Sequence, residues 1–406
     1  MIMKDKTTFD RVCENFIKNT MDLYDIPGIA VGVYAVFDAA CLDPDMREIT
    51  YIFTGAGGYR NYETKEPVKA DTVFHCTSVS KLLTAIGIMK LVEDGKLKLS
   101  DRLADVLPYL SIADERWRDI TIEMMLDHTS GLTDVGDYRW QDHQVDEEAL
   151  KRYALSEDIA GRKLLWDPAA GKFRYSSMAY DLLGLVIAEV SGTSFEAFMK
   201  QEIFKPLGME NTTFFTFGRI SELNEEVPEC KRDSEAVLNS IDEAGLAMPH
   251  SKGRDRVIHL EKAYPYTRQH APSSTLTSTV GDILKWAAAL MESAEPKCAP
   301  LHEEQAEAQG APLHEETIKG MWEPRVSVPD TGEQMGLSWF VRKQEMSLDG
   351  ENCEYTLVGH EGSDDGFRTS FWMCPELGVA TVLLCNLTDA PLKKLNKQLM
   401  KMVVEN

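Results

Sequence analysis

Ser78 and Lys81 lie three residues apart in a segment that is otherwise strongly apolar. The stretch "SVSKLLTAIGIMKLVEDG", residues 78–95, predicts a helix that is largely buried and ends near Asp94 and Gly95. Residues three apart share a helix face. Burial lowers the pKa of a lysine below its usual ~10.4, because it disfavours the charged form. The spacing therefore indicates a nucleophilic serine with a lysine as its general base.

Two later segments carry further groups that could take part in such chemistry. Tyr175 opens a Tyr-Ser-Ser segment just before an apolar helical pattern. His360, Glu361 and Gly362 end the apolar strand pattern "EYTLVGH", ahead of a turn-like segment. A Ser-x-x-Lys spacing alone is a weak signal, but it is also the entry signature of one class of acyl-transfer enzymes.

The elements that would position these groups follow a strand–helix–strand order. After an amphipathic first helix, residues 27–37 and 48–59 have strand patterns, and four more strand patterns follow Trp322. Helical patterns dominate the middle of the chain. We therefore predict a mixed α/β domain built from residues 1–100 and 322–406, with a mainly helical domain, residues 101–321, inserted into it.

Five stretches together resemble one known superfamily over nearly the whole chain. They are the Ser78 segment, "ITIEMMLDHTSGL" (residues 120–132), Tyr175-Ser176-Ser177, "KPLGMENTTF" (residues 205–214) and His360-Glu361-Gly362. The chain is similar to the serine β-lactamases and penicillin-binding proteins, most of all to the class C β-lactamase branch with its related esterases and D-aminopeptidases. The resemblance implies an α+β, β-lactamase/transpeptidase-like fold, with an antiparallel sheet flanked by helices and an inserted helical domain.

The same resemblance implies an acyl-enzyme mechanism. Ser78 would attack the substrate carbonyl, while Lys81 and Tyr175 would form the base system. The backbone N–H groups of Ser78 and Ser363 would bind the oxyanion. Four residues would help to bind substrate: His360, Gly362, Ser177 and Trp339. For Trp339, core packing is an equally good interpretation of the sequence.

Two departures from the family pattern bear on the substrate. Ser177 stands where the family has an asparagine that supports the amide side chain of peptides and β-lactams. A serine hydroxyl is shorter than that amide and offers one donor where asparagine offers two. His360 stands where many relatives have a lysine, and a histidine is mostly neutral at pH 7. Both departures favour small esters over substrates that carry a carboxylate.

Composition narrows the partners. The net charge of −23 disfavours nucleic acid and anionic membranes. No apolar run reaches the ~20 residues of a membrane span, and we found no pattern of a secretory signal. The eight cysteines are scattered, which is typical of reduced thiols in a cytoplasmic protein. We expect a small-molecule substrate, no cofactor and no metal, although the duplicated "APLHEE" loop holds His302 and His314.

Three hypotheses follow from the sequence. The first is a cytoplasmic serine hydrolase of small esters. The second is an amidase of the same family, such as a D-aminopeptidase, a DD-peptidase-like enzyme or a weak β-lactamase. The third is a binding protein without activity, which the presence of Ser78, Lys81 and Tyr175 disfavours. The sequence gives neither the natural substrate nor the oligomeric state.

Overall fold

A computed structural model describes residues 6–38, 48–216, 218, 234–294, 312–348 and 350–405. The first copy of the duplicated loop, with His302, lies outside these residues. In the second copy His314 is an exposed side chain, and its Nδ1 lies 3.1 Å from a carboxylate oxygen of Glu93.

The central element is a nine-stranded sheet with antiparallel pairing throughout. Its strand order is β3-β2-β1-β13-β12-β11-β10-β9-β8. These strands are β1 (Gly28–Asp38), β2 (Glu48–Asn61), β3 (Glu66–Pro67), β8 (Val326–Ser327), β9 (Gln334–Met335), β10 (Phe340–Leu348), β11 (Glu351–Asp364), β12 (Phe367–Cys374) and β13 (Val379–Cys385). The expected antiparallel sheet with strands from both ends of the chain is confirmed.

Two small two-stranded sheets accompany the large one. Strand β4 (Phe74–His75) pairs with β7 (Thr277–Ser278), and β5 (His250–Lys252) pairs with β6 (Ile258–Leu260). The β4–β7 pair is next to the candidate nucleophile, because β4 ends three residues before Ser78.

Helices occupy both faces of the large sheet and the segment between its two groups of strands. They are α1 (Lys6–Tyr24), α2 (Ser80–Glu93), α3 (Leu103–Val106), α4 (Ile122–Leu126), α5 (Ala149–Ala154), α6 (Glu157–Ala160), α7 (Ser177–Ser191), α8 (Phe195–Phe198), α9 (Ser234–Glu243), α10 (Ala271–Ser274), α11 (Val280–Ala294), α12 (Glu315–Trp322) and α13 (Leu392–Glu405). A π-helical turn, Met199–Phe204, continues α8.

The sheet separates two apolar cores. The apolar stripe of α1, with Phe9, Cys13 and Phe16, packs with α13 against one face of the sheet. Helix α11 packs on β1 and β13 from the other face, where the larger core continues into α2 and α7. The division into two domains stays a prediction, because α11 lies inside the predicted helical segment and yet contacts the sheet directly.

Helices α2, α7 and α10 meet at one close contact. A Cβ on Gly184, in the middle of α7, would lie 2.0 Å from Cγ of Pro272 in α10. The hydroxyl of Thr84 in α2 donates a hydrogen bond to the carbonyl of Pro272 at 2.7 Å. Gly184 therefore sets how closely α7 approaches the two helices that carry Lys81 and Ser273.

This contact gives a stability prediction. Gly184→Ala should lower the free energy of unfolding by about 1–3 kcal/mol, since the added methyl group overlaps Pro272 and overpacks the junction. The matched control is Gly320→Ala in α12, where a Cβ meets nothing within 4 Å. There the better helix propensity of alanine should leave stability unchanged or raise it by up to ~1 kcal/mol. Urea denaturation of both variants checks the prediction, and equal effects would contradict it.

Candidate active site

Ser78 lies in a tight turn that leads directly into α2. Residues Thr77–Val79 form a 3-10 turn, and the α-helix starts at Ser80. Thr77 has φ of +50°, a left-handed conformation that costs a non-glycine residue about 1 kcal/mol or more. Its hydroxyl donates to the carbonyl of Cys76 at 2.8 Å, and the Cys76 N–H donates to the Leu276 carbonyl at 2.7 Å. These two hydrogen bonds hold the turn that carries Ser78 against the segment that precedes it and against Leu276.

Lys81 is fully buried, as the sequence predicts. Its Nζ lies 3.2 Å from Oγ of Ser78 and donates to the carbonyl of Ser273 in α10 at 2.7 Å. Burial lowers the pKa of Lys81 from 10.5 to about 8, because desolvation disfavours the ammonium. About a tenth of Lys81 is therefore neutral at pH 7 and about half near pH 8, and this neutral form can accept the proton of Ser78.

Three carboxylates limit this lowering of the lysine pKa. Asp134, Asp364 and Asp181 each favour the charged form of Lys81 through longer-range attraction, in that order of strength. None of them is close enough to form an ion pair with Lys81. Each is instead held by hydrogen bonds from neighbouring elements, so the three negative charges have fixed positions around the lysine.

The partners of these carboxylates come from different parts of the chain. The Ser177 N–H donates to Oδ1 of Asp134 at 2.7 Å. Oδ2 of Asp181 lies 2.7 Å from Nδ1 of His270, with both residues fully buried. Those two pairs join the segment after α4 and the segment before α10 to helix α7.

Asp364 lies in the turn-like segment that follows His360-Glu361-Gly362, yet its carboxylate is in the interior, 9 % exposed. Oδ2 accepts from the hydroxyl of Ser274 at 2.5 Å and lies 2.7 Å from Nε2 of His75. The Ser273-Ser274 pair, to which the sequence assigned no role, thus contacts both Lys81 and Asp364. Asp365, the next residue, is exposed.

Tyr175 completes a cluster of three polar side chains. The side chain of Ser78 lies close enough to the Tyr175 hydroxyl to act on its pKa, and the Tyr175 ring centroid lies 4.9 Å from Nζ of Lys81. Burial raises the pKa of Tyr175 well above its usual value of 10, so the phenol is neutral at pH 7. Neutral Lys81 can therefore accept a proton directly, whereas the phenol of Tyr175 would first have to lose its own proton.

His128 positions Tyr175. Its ring packs on the Tyr175 ring at a centroid distance of 4.5 Å. The carbonyl of His128 accepts from the Arg174 N–H at 2.8 Å, and its Nδ1 accepts from the Ser176 N–H at 3.1 Å. The histidine of the "DHTSGL" element thus has a structural role next to the site.

Strand β11 forms the opposite wall of the site. A Cβ on Gly362 would lie 1.6 Å from Oγ1 of Thr77 and 2.9 Å from the backbone nitrogen of Ser78. Only a glycine allows this approach. The next residue, Ser363, has an exposed side chain. The backbone nitrogens expected to bind the oxyanion thus lie on facing segments.

His360 is buried on the same strand, 1 % exposed. Nδ1 lies 2.5 Å from the carbonyl of Glu361, so this nitrogen carries the proton and the lone pair is on Nε2. Burial and the nearby Lys81 lower the pKa of His360 from 6.5 to about 3. The imidazole is therefore neutral at pH 7, in line with the sequence argument, and lies 6.0 Å from the ring of Tyr175.

Ser177 has a partner that the sequence did not indicate. The hydroxyl of Tyr138 donates to Oγ of Ser177 at 2.7 Å, from a loop 39 residues away in sequence. No motif marks Tyr138 or Asp134 as site residues. They reach the site because their loop folds back onto the start of α7.

Trp339 is not at the site. It is fully buried in an aromatic cluster with Trp286, Trp322 and Phe371, at centroid distances of 5.7, 6.0 and 6.2 Å. The expected role in substrate binding is therefore corrected to core packing. Trp339 directly precedes β10, which pairs with β9 and β11 on either side. Trp339 therefore lies at the start of a paired strand in the interior.

Other candidate sites are few. Within the described ranges, no group of three or more His, Cys, Asp or Glu side chains is arranged to hold a metal ion. A surface cavity of about 520 Å³ lies between α1 and β2, away from Ser78. Among the same residues no single helix is long and apolar enough to cross a membrane. Helix α7 and the segment Phe195–Phe204 meet the length and composition criteria only when taken together, with a bend of 75° between them.

Comparison with known proteins identifies the family. The model of the β-lactamase family matches residues 13–403, so this chain belongs to the β-lactamase family. It is 32 % identical to penicillin-binding protein 4 of Amycolatopsis lactamdurans over 190 residues, which is 47 % of this chain and 45 % of that protein. It is also 32 % identical to penicillin-binding protein 4* of Bacillus subtilis over 162 residues, 39 % of this chain and 34 % of that protein. These alignments span less than half the length of both relatives.

Solved structures share the fold along the whole chain. The hydrolase EstCE1, described as having promiscuous acyltransferase activity, has a TM-score of 0.71 at 18 % identity and covers 98 % of this chain and 99 % of its own. The octameric penicillin-binding protein homologue from Pyrococcus abyssi has a TM-score of 0.69 at 23 % identity, with coverage of 98 % and 77 %. The D-amino acid amidase from Ochrobactrum anthropi SV3 has a TM-score of 0.68 at 17 % identity, with coverage of 97 % and 98 %. At these identities the likeness concerns the fold, which is the one expected from the sequence.

The geometry at Lys81 gives a kinetic prediction. If neutral Lys81 is the base, kcat/KM should rise with pH and reach half its plateau near pH 8, because only the form above the lysine pKa accepts a proton. Lys81→Ala should lower kcat/KM by ~10²–10⁴-fold. Lys81→Arg should not restore it, since a guanidinium stays protonated.

The matched control is Lys90→Arg on the same helix. Lys90 pairs with Asp94 at the end of α2 and should tolerate the change with an unaltered pH profile. Circular dichroism and thermal melts should show that all variants are folded. A Lys81→Arg protein with near wild-type activity would refute the role of Lys81 as general base.

Proposed function

We propose that this protein is a serine hydrolase that forms an acyl-enzyme on Ser78 and acts on small carboxylic esters. The observation that carries the proposal is the arrangement of three groups. Nζ of Lys81 lies 3.2 Å from Oγ of Ser78, and the ring centroid of Tyr175 lies 4.9 Å from the same Nζ. Membership of the β-lactamase family supports acyl transfer as the chemistry.

The first half of the reaction is acylation. Oγ of Ser78 forms a bond to the ester carbonyl carbon while its proton passes to neutral Lys81. When the bond to the leaving oxygen breaks, that proton is delivered to the departing alcohol through the hydroxyl of Tyr175. The N–H groups of Ser78 and Ser363 stabilise the negative oxygen of the tetrahedral intermediate.

The second half is deacylation. Water attacks the acyl carbon, and the same pair of side chains removes the proton of the water and returns a proton to Oγ of Ser78. The carboxylic acid and free enzyme result. Lys81 and Tyr175 thus serve in both halves, as expected when one base system works in alternating directions.

The preference for esters rests on two side chains. Ser177 offers one hydroxyl, which already accepts a hydrogen bond from Tyr138. His360 has a pKa of about 3 and carries no charge at pH 7. A substrate carboxylate would therefore find no fixed positive charge at His360, and an amide side chain would find no two-ended partner at residue 177.

We also propose a cytoplasmic location. Cys13, Cys76 and Cys385 are buried thiols, and burial raises the pKa of Cys13 to about 12. A reducing compartment keeps such groups as thiols. Fractionation of the native host, with detection of the full-length protein, tests this part of the proposal separately from the activity.

The nucleophile can be identified chemically. A fluorophosphonate probe should give one adduct, located on Ser78 by peptide mapping, because among the serines that the structure describes Ser78 is the one with Lys81 and Tyr175 beside its hydroxyl. Ser78→Ala should abolish both labelling and ester hydrolysis. An adduct elsewhere, or activity that survives in Ser78→Ala, would contradict the assignment, and absence of any adduct would favour a binding protein.

Ser80 provides the matched control for that experiment. Its buried hydroxyl donates to the Thr77 carbonyl at 2.6 Å and accepts from the Leu276 N–H at 3.0 Å, which is a structural role. Ser80→Ala should therefore remain labelled on Ser78, even if its melting temperature falls.

The substrate class can be measured directly. Hydrolysis of p-nitrophenyl acetate should exceed that of a chromogenic cephalosporin by at least ~10²-fold in kcat/KM, or about 2.7 kcal/mol of transition-state discrimination. Two missing polar contacts, at ~1–3 kcal/mol each, account for a gap of that size.

An activated ester also reacts faster without an enzyme. Each kcat/KM value should therefore be divided by the rate constant for hydroxide-catalysed hydrolysis of the same compound. D-amino acid p-nitroanilides belong in the same panel. After this correction a preference for the cephalosporin or the anilides would replace the esterase assignment with the amidase alternative.

A further inference from the structure

His75 and Asp364 form a buried hydrogen bond that the proposed reaction does not use. Nε2 of His75 lies 2.7 Å from Oδ2 of Asp364, and the two side chains are 0 % and 5 % exposed. A carboxylate accepts hydrogen bonds and does not donate them, so Nε2 carries the hydrogen. The hydroxyl of Ser274 donates to the same oxygen. The carboxylate therefore has two donors, one from β4 and one from α10.

The imidazole of His75 is held by packing as well as by this bond. Its ring centroid lies 5.4 Å from that of Phe367 and 6.1 Å from that of Tyr264. Phe367 is the residue that pairs with Asp364 across the turn between β11 and β12. Nδ1 of His75 is buried and has no hydrogen-bond partner in the part of the chain that the structure describes. Asp364 is thus the one polar partner of this ring among those residues.

The bond is the second of two contacts between β11 and the segment that leads to the nucleophile. In the first, a Cβ on Gly362 would lie 1.6 Å from Oγ1 of Thr77. In the second, Asp364 meets His75. Each segment advances by two residues between the contacts, in opposite directions. Ser363 therefore lies between two points at which β11 is fixed.

We propose that Asp364 is a positioning residue: its bond to His75 holds the N–H groups of Ser78 and Ser363 at the separation that binds the oxyanion. This inference rests on the proposed acyl-enzyme reaction at Ser78. Asp364 directly follows Ser363, and His75 precedes Ser78 by three residues. The contact at Gly362 alone leaves the end of β11 free to pivot, whereas a second contact fixes the direction of the Ser363 N–H.

This role predicts an effect on the chemical steps and not on substrate binding. The negative oxygen exists in the tetrahedral intermediates of both acylation and deacylation, but not in the bound ester. A misplaced N–H donor therefore lowers kcat and leaves KM nearly unchanged. Outright removal of one oxyanion donor costs ~10²–10³-fold in kcat, which is the upper limit for a displaced one.

The main test compares Asp364→Ala with Asp364→Asn on p-nitrophenyl acetate. Asp364→Ala removes the acceptor and should lower kcat at least ~10-fold, with KM within ~3-fold of wild type. Asp364→Asn keeps a side-chain oxygen that can accept from Nε2 of His75, so it should recover most of the lost kcat. Phenylboronic acid forms a tetrahedral adduct with a serine hydroxyl, and its Ki should rise in Asp364→Ala by the same factor by which kcat falls.

These assays belong at about pH 9, because Asp364 also acts on the charge of Lys81. Loss of one negative charge lowers the pKa of Lys81 below its value of about 8, which increases the neutral fraction. Above that pKa Lys81 is mostly neutral with or without Asp364, while Asp134 and Asp181 stay in place. A change in kcat at this pH therefore reports the position of the N–H groups and not the amount of neutral base.

A double-mutant cycle separates this bond from unrelated damage. His75→Phe keeps a ring to pack on Phe367 and Tyr264 but removes the donor, and it should lower kcat by a factor similar to that of Asp364→Ala. The variant with both changes should be no slower than either single variant, because both changes remove the same bond. Independent losses would instead multiply.

The matched control is Asp282→Ala, which also removes a buried carboxylate. Oδ2 of Asp282 accepts from the Asn211 N–H at 2.7 Å and from the Thr212 hydroxyl at 3.1 Å. Neither partner belongs to β11 or to the turn at the nucleophile. Asp282→Ala should lower the melting temperature but keep kcat and the boronate Ki. Should Asp364→Ala fail to fold, His75→Phe carries the same test, with a thermal melt to show that it is folded.

Three results would overturn the inference. Folded Asp364→Ala or His75→Phe could keep the wild-type kcat; the two losses could multiply in the double variant; or Asp364→Asn could be as slow as Asp364→Ala. In each case the wild-type adduct on Ser78 and wild-type ester hydrolysis would remain. Failure of the proposed function would instead remove both from the wild-type enzyme.

Discussion

The fully buried ammonium of Lys81 is the constraint on which the rest of the site depends. Moving its pKa from 10.5 to about 8 corresponds to about 3 kcal/mol of unfavourable burial of the charged form. The ammonium of Lys81 makes short polar contacts with the hydroxyl of Ser78 and the carbonyl of Ser273. The carboxylates of Asp134, Asp364 and Asp181 act on it from a greater distance. An ion pair at contact distance would keep the lysine protonated, whereas complete isolation would make its burial far more costly. The observed arrangement lies between these limits and gives a base that titrates near neutral pH.

That arrangement requires close packing of three helices. Lys81 is on α2, the Ser273 carbonyl is on α10 and Tyr175 lies two residues before α7. Gly184 and Pro272 allow these helices to approach each other, and the hydrogen bond from Thr84 to the Pro272 carbonyl links α2 to α10. A shift of this junction would change the distances at Ser78, so stability and chemistry depend on the same contact.

Strand β11 supports the site from the other side by using its two faces differently. His360 and Gly362 face the turn at Ser78, while Glu361 points to the opposite face. There Oε1 of Glu361 accepts from the Trp372 indole at 2.6 Å and from the Ser370 hydroxyl at 3.1 Å. Burial raises the pKa of Glu361 to about 7. These bonds hold β11 against β12, which keeps Gly362 in contact with the turn.

The sequence determined the local features of this protein. The apolar surroundings of Lys81 predicted its burial, and the i, i+3 spacing predicted its approach to Ser78. The strand patterns predicted a sheet with strands from both ends of the chain, and the family resemblance implied that this sheet is antiparallel. The motifs also indicated Tyr175, because it belongs to a run of residues typical of the family. Such features depend on contacts within one element, or on patterns that neighbouring residues display together.

The tertiary structure decided which distant residues surround that centre. Tyr138 and Asp134 lie in a loop without a motif, and they reach the site only because the loop folds back onto the start of α7. Asp364 is adjacent to Asp365 in sequence, yet one is buried against His75 while the other is exposed. Trp339 lies in the core because the paired strand β10 begins at the next residue. Side-chain type and spacing cannot supply these outcomes, since they depend on contacts between residues that are far apart in the chain.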